Sequence, residues 1–229
     1  MRLLIIKNGN CETDITVLIK EIDKDIETDL FCSRSIDYNT INIFKYDGVI
    51  IMGGPQRLSD PQTLYDHPYL TKLILYLKFW IEKDIKILGI CLGAQLIALA
   101  TGHLVVECEK LVMGYNQNIL TTDNGIDDEV FGRDFDLFKY YYLTLHYDRV
   151  FIMSSGKPLQ ILAKLNDMVY GFRINRTYGV QFHPDVTLRI LNLFCSEFNF
   201  SRELVDEGTC IATNARTANI AFHNHWIQS

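Results

Sequence analysis

Apolar runs about one strand long alternate along this chain with segments of helical periodicity, and few architectures accept that pattern. Leu3 to Lys7, Asp47 to Met52, Lys86 to Ile90 and Thr177 to Phe182 read as strands, and the first three are nearly continuous in apolar residues. Strands of that kind are buried on both faces, as in a parallel sheet covered by helices. Ile15 to Ile26 reads as a helix and Asp29 to Cys32 as a further strand. Leu70, Leu73, Ile74, Leu77 and Trp80-Ile81 recur at helical spacing behind Asp66 or His67 as cap and Pro68 in the first turn. Leu92 to Thr101 is apolar and Ala-rich, a buried helix closed by Gly102 at the position where helices favour glycine. The expected fold is α/β, a mostly parallel central sheet with helices on both faces.

Beyond Gly102 the pattern shortens. Leu104 to Cys108, Asn118 to Thr122, Phe151 to Ser154, Leu159 to Leu165 and Met168 to Ile174 suggest antiparallel additions or hairpins on the same sheet. Val186 to Phe198 reads as a helix. Arg202 to Trp226 carries enough periodicity for one or two more. With no linker, low-complexity tract or repeat, residues 1–229 are expected to form a single domain with a helical extension from about residue 201.

Composition narrows the function. The chain has 229 residues, 48% of them hydrophobic, with 22 Lys+Arg against 28 Asp+Glu for a formal net charge of −6. That balance argues against gripping nucleic acid through its phosphates. The longest apolar window, Leu70 to Ile81, is interrupted by Lys72 and Lys78, so membrane insertion is not expected, and the N-terminal run is too brief for a signal-peptide core. Cys11, Cys32, Cys91, Cys108, Cys195 and Cys210 form no CxxC pair and no metal-finger spacing, which points to reduced thiols and a cytoplasmic location.

One cysteine stands apart. Gly89-Ile90-Cys91-Leu92-Gly93 has the form G-x-C-x-G at a strand-to-helix junction, a cysteine analogue of the nucleophile elbow. The small residues two positions either side let the chain turn sharply, and the helix beginning at Leu92 aims free N–H groups at the sulfur. A buried structural cysteine is the alternative reading. A second strand ends in Gly179-Val180-Gln181-Phe182-His183-Pro184-Asp185, where a histidine can exchange a proton with the thiol and a carboxylate can fix its tautomer.

Gly53-Gly54-Pro55, Gly89 to Gln95 and Tyr178 to Pro184 together resemble, in order and separation, the three signature blocks of class I (triad-type) glutamine amidotransferases, whose fold is flavodoxin-like. His67-Pro68-Tyr69-Leu70, Met113-Gly114-Tyr115 and the end near Asn224-His225-Trp226 look like stand-alone members similar to the amidotransferase domain of GMP synthase. The resemblance implies that Cys91 attacks the γ-amide of glutamine to give a thioester, with His183 as base and then acid and Asp185 as the third triad member. It places the oxyanion on the N–H groups of Gly54 and Leu92. Gly53, Gln95, Gly114, Tyr115 and His146 fall where the family meets its substrate. It implies no metal and no organic cofactor, and a possible separate synthetase or acceptor protein, since 229 residues leave no room for a synthetase domain. A γ-glutamyl peptidase, or an impaired pseudo-enzyme serving as a binding or regulatory module, are the alternatives.

Three positions depart from the family. Its third triad member is usually Glu, and Asp185 is one methylene shorter. His103 follows Gly102 where paired glycines are frequent, and Tyr147 replaces the glycine of the relatives' His-Gly-Asp, where a ring would narrow the pocket, change the preferred γ-glutamyl substrate or pack elsewhere. The remaining features read blandly. His223 and His225 do not share a helix face, Tyr140-Tyr141-Tyr142 is a packing element, Asp127-Asp128-Glu129 a solvated turn, and Cys108, Cys195 and Cys210 have no catalytic partner.

Overall fold

A computed structural model of the chain describes residues 1–9, 12–116, 119–132, 142–198 and 202–229. The first half runs β1 (Arg2–Lys7), α1 (Ile15–Ile22), β2 (Glu27–Cys32), β3 (Gly48–Ile51), α2 (Pro61–Asp66), α3 (Pro68–Glu82), β4 (Ile87–Ile90) and α4 (Leu92–Ala100). The second half runs β5 (Leu104–Asn116), β6 (Ile119–Thr121), α5 (Asp123–Ile126), β7 (Tyr142–Phe151), β8 (Gln160–Leu165), β9 (Met168–Ile174), β10 (Thr177–Val180), α6 (Leu188–Glu197) and α7 (Arg202–Gln228). Eight strands form one sheet in the order β2-β1-β3-β4-β10-β9-β8-β6. The five from β2 to β10 are parallel, and β9, β8 and β6 continue the sheet antiparallel.

The continuous apolar runs are explained by two cores. Along β1, Leu3 and Ile5 face one core and Leu4 and Ile6 the other, the alternation a strand requires. The first core takes in α1 and the end of α7 through Ile15, Ile19, Phe222 and Trp226; the second takes in α3 and α4 through Leu70, Leu73, Leu77, Trp80 and Ile97. Trp226 lies across β3, where a methyl added at Gly48 would stand 2.9 Å from its ring. The same ring sits 5.1 Å from the Lys86 ammonium, which burial holds down to about 8 and which donates to the Ile227 carbonyl at 3.1 Å.

Three expectations need correction. The α1 helix stops at Ile22, because the Asp23 backbone turns extended. Of the strand expected over Phe151 to Ser154 only Phe151 is in a strand, as the last residue of β7, and β7 pairs with β5 in a separate two-stranded sheet rather than joining the main one. The stretch expected to hold one or two terminal helices is a single helix of 27 residues from Arg202. Asp128 is no solvated residue: it is buried, accepts the N–H groups of Val130 and Phe131 at 2.9 and 3.1 Å, and pairs with Arg173 at 2.9 Å. Cys11, Asn118, Tyr140 and Tyr141 lie outside the described residues.

Candidate active site

Parallel strands present their carboxyl ends along one edge of the sheet, and there a cavity of about 320 Å³ opens. Lys7 and Asn8 line it after β1, Met52, Gly53 and Gly54 after β3, Cys91 and Leu92 after β4, and His183 and Asp185 after β10. The β7 segment Leu145 to Asp148, Phe194 of α6 and Phe198 just after it line the rest of the cavity.

The sharp turn at Cys91 follows from contact distances. A methyl added at Gly93 would stand 2.1 Å from the Ile51 carbonyl oxygen, and one at Gly89 2.7 Å from the Gly93 backbone, so neither position admits a side chain. Between them Cys91 takes φ +50° and ψ −107°, a conformation that costs on the order of 1–3 kcal/mol and persists only where its surroundings enforce it. The Cys91 N–H donates to the Val180 carbonyl at 2.7 Å, tying the elbow to the neighbouring strand. Because β4 and β10 pair in parallel, Ile90 beside Val180, the segments carrying Cys91 and His183 leave the sheet side by side.

His183 is 6% exposed, and its Nδ1 lies 3.1 Å from the Asp185 carboxylate, itself 6% exposed. The shorter acid therefore reaches its histidine. Burial by itself would lower the His183 pKa, but the nearby Cys91 sulfur and the Asp185 carboxylate bonded to Nδ1 outweigh it and hold the imidazole well above its ordinary value. A methyl at Gly53 would come 3.1 Å from His183 Cε1 and 3.6 Å from Cys91 Cβ, which places this glycine against both side chains. At Gly54 it would meet the Leu92 side chain at 2.8 Å, so the glycine loop faces the start of α4. Leu92 is the first residue of α4, and such N–H groups have no partner within their helix.

Other expected residues are placed less simply. Gln95 lines the cavity with its amide nitrogen engaged, donating to the Asp148 carbonyl at 3.1 Å and to Gln181 Oε1 at 3.3 Å. Gln181 in turn donates from Nε2 to the Cys91 sulfur at 3.6 Å. His146 also lines the cavity, its Nδ1 3.0 Å from the Asp148 carbonyl and its Nε2 2.6 Å from the Tyr170 hydroxyl; burial, with His183 nearby, pushes its pKa down to about 4, so the ring is neutral. Gly114 and Tyr115 are not among the lining residues: Tyr115 packs under α7, where a methyl at Gly208 would stand 3.2 Å from its hydroxyl.

Tyr147 does not fill the cavity. It is 44% exposed at the rim, with the Arg57 guanidinium 5.1 Å from its ring centre. His103 ties down a loop, accepting the Met153 N–H at 3.2 Å on Nδ1 and donating from Nε2 to the Lys157 carbonyl at 2.9 Å. Sequence reasoning missed Gln181, whose signal was a polar residue directly after an apolar strand. It also missed the pairing of Asp148, which accepts Ser59 N and Oγ at 2.9 and 2.7 Å. Cys108 stands 3.8 Å from His146 Nδ1, and burial raises its thiol pKa. Among the described residues no group of three or more His, Cys, Asp or Glu is placed to hold a metal ion, and no helix is long and apolar enough to cross a membrane.

Residues 5–195 match the family glutamine amidotransferase class-I. A glutamine amidotransferase-like protein of Acanthamoeba polyphaga mimivirus is 34% identical over 186 residues, covering 80% of this chain and 77% of that protein. One of the subunits of the glutamine-hydrolysing GMP synthase of Saccharolobus solfataricus is 33% identical over 144 residues, 62% of this chain and 69% of that protein. The chain spans about a third of the length of the undivided GMP synthases it also matches. In fold it is similar to the crystal structure of a glutamine amidotransferase from Thermotoga maritima, with a TM-score of 0.80 at 17% identity, covering 100% of this chain and 98% of that one.

Proposed function

The chain belongs to the class-I glutamine amidotransferases, and from that premise we propose that it hydrolyses the γ-amide of glutamine, or of a γ-glutamyl compound, through a thioester on Cys91. The observation that carries this reading is the convergence of Cys91, His183 and Asp185 on one cavity, with the acid 3.1 Å from the histidine. Cys91 Sγ forms a bond to the amide carbon, and the carbonyl oxygen becomes an oxyanion received by the N–H groups of Gly54 and Leu92. As that oxygen re-forms its double bond the C–N bond breaks, and His183 delivers the thiol proton to the departing nitrogen, releasing ammonia or an amine. Water then adds to the thioester with His183 taking its proton, and the carboxylic acid leaves as the sulfur recovers a proton. Asp185 holds the ring so that Nε2 faces the sulfur.

We read Gly53, Gln95 and His146 as substrate-side residues, Gln95 offering its amide oxygen, His146 the face of a ring held by Asp148 and Tyr170, and Gly53 the room to approach them. The roles expected of Gly114 and Tyr115 would be exerted from behind this wall. Two variants share the chemistry. Transfer of the ammonia to a separate acceptor protein is supported by the relative that serves as one subunit of a synthase. Hydrolysis of larger γ-glutamyl amides is supported by the aromatic wall of Phe194 and Phe198, which a free ammonia leaving group does not need.

Release of ammonia and glutamate from glutamine, and of amine from a panel of γ-glutamyl peptides, tests the proposal. Cys91→Ala is expected to abolish turnover, and Asp185→Ala to lower kcat by roughly 10²-fold or more. Preference for free glutamine counts against the peptidase variant. No turnover of any substrate, together with no labelling of Cys91 by a glutamine-mimicking diazo-ketone, would overturn the enzyme reading.

A further inference from the structure

An aspartate two residues after the histidine it must orient has little reach, so its carboxylate arrives only where the backbone around it carries it. Asp185 Oδ1 stands 3.1 Å from His183 Nδ1. The chain just before and just after Asp185 is held from one helix. His223 Nε2 donates to the Pro184 carbonyl at 3.2 Å, and Asn219 Nδ2 donates to the Val186 carbonyl at 2.9 Å. Asn219 and His223 are four residues apart on α7, hence on one face, and are 3% and 0% exposed. The helix that carries them lies beyond residues 5–195, the part of the chain that matches the family.

We infer that α7 is a clamp on the triad: Asn219 and His223 are positioning residues that fix the Pro184–Val186 backbone so that Asp185 reaches His183. This inference rests on the triad reading above. Other contacts agree with it. The Tyr142 hydroxyl donates to the Ala218 carbonyl at 3.2 Å, and the Phe222 ring stands 5.5 Å from the Phe182 ring, so the same turn of α7 also packs against the residue before His183. The His183 N–H itself donates to the Leu143 carbonyl at 2.8 Å. The titratable groups around the pair are Cys91 at the head of α4, His146 on β7 and His223 on α7; burial pushes both His146 and His223 down to about 4, so both are neutral where His183 works. A neutral imidazole at 223 orients Asp185 without competing with His183 for its charge.

The test is the pH dependence of Cys91 alkylation by iodoacetamide in the full-length protein, which reads the thiolate–imidazolium pair without requiring turnover. His223→Phe keeps the ring and removes the donor, and Asn219→Leu does the same for the amide. Each is expected to move the midpoint of alkylation to higher pH and to lower kcat for glutamine about tenfold with KM unchanged. His223→Gln, whose amide nitrogen reaches about as far as imidazole Nε2, is expected to restore the original profile. Asp185→Glu placed in the Asn219→Leu background is expected to recover low-pH alkylation, because an added methylene makes up the lost reach. If His223→Phe does not fold, the Asn219→Leu pair with and without Asp185→Glu carries the same comparison. Alkylation profiles that overlay the original in folded His223→Phe and Asn219→Leu overturn the clamp, as does a His223→Gln profile displaced as far as that of His223→Phe. Absence of turnover in the unaltered protein defeats the proposed function and leaves the alkylation result standing on its own.

Discussion

Cys91 and His183 were legible because their chemistry coincides with a backbone signal, a strand that stops at a reactive residue beside small or rigid ones. Gln181 was not, because a lone polar residue in a Val-Gln-Phe run looks like any strand end until its neighbours are known. Its two hydrogen bonds give it a role: Oε1 accepts from Gln95 and Nε2 donates to the Cys91 sulfur. A donor to sulfur favours the thiolate over the thiol. Gln181→Leu keeps similar volume and removes the donor, so kcat/KM for glutamine is expected to fall roughly tenfold, about 1.4 kcal/mol of transition-state stabilisation. Steady-state kinetics check this, and an unchanged kcat/KM would leave Gln181 as packing alone. His223 is illegible for the opposite reason: its spacing to His225 bears only on metal binding, whereas the informative fact is which face of α7 is buried.

At the scale of elements, the parallel half of the sheet was readable because burial on both faces leaves an unbroken apolar signature. The β5–β7 pair was not. Its register jumps between Glu107 and Val112, and its strands lie far apart in sequence, so no local periodicity announces the pairing. The α4 helix shows what an element can tolerate. Its first turn packs directly on the β3 backbone at Gly93, with no side chain between. Gly93→Ala therefore forces β3 and α4 apart, and because the contact is with a carbonyl oxygen no rotamer relieves it. A loss of about 1–3 kcal/mol in unfolding free energy by urea titration is expected, with activity falling further than stability because Cys91 rides on that turn. A variant as stable and active as the original would show that the turn can slide.

For the whole molecule, the buried histidines His146 and His223 make stability fall in acid. His146 and His223 titrate near 4 in the fold against about 6.5 in an unfolded chain. Between those values the unfolded state binds more protons, so stability falls as pH drops from about 6.5 to about 4, by up to about 3 kcal/mol for each. His183 works in the other direction: its contribution is complete below about 6.5 and is lost as pH rises through its elevated value. Urea unfolding at pH 6.5, 5.5 and 4.5 is expected to show a declining midpoint, and His223→Gln a shallower decline; equal slopes would move the acid sensitivity elsewhere. The cavity draws its floor from strand ends of the central sheet and its walls from the separate β5–β7 ribbon and α6. On the proposed function, the walls that would meet a leaving group rest on other supports than Cys91 and His183, so they can be remodelled while the hydrogen-bonded register of β4 and β10 keeps those two residues in step.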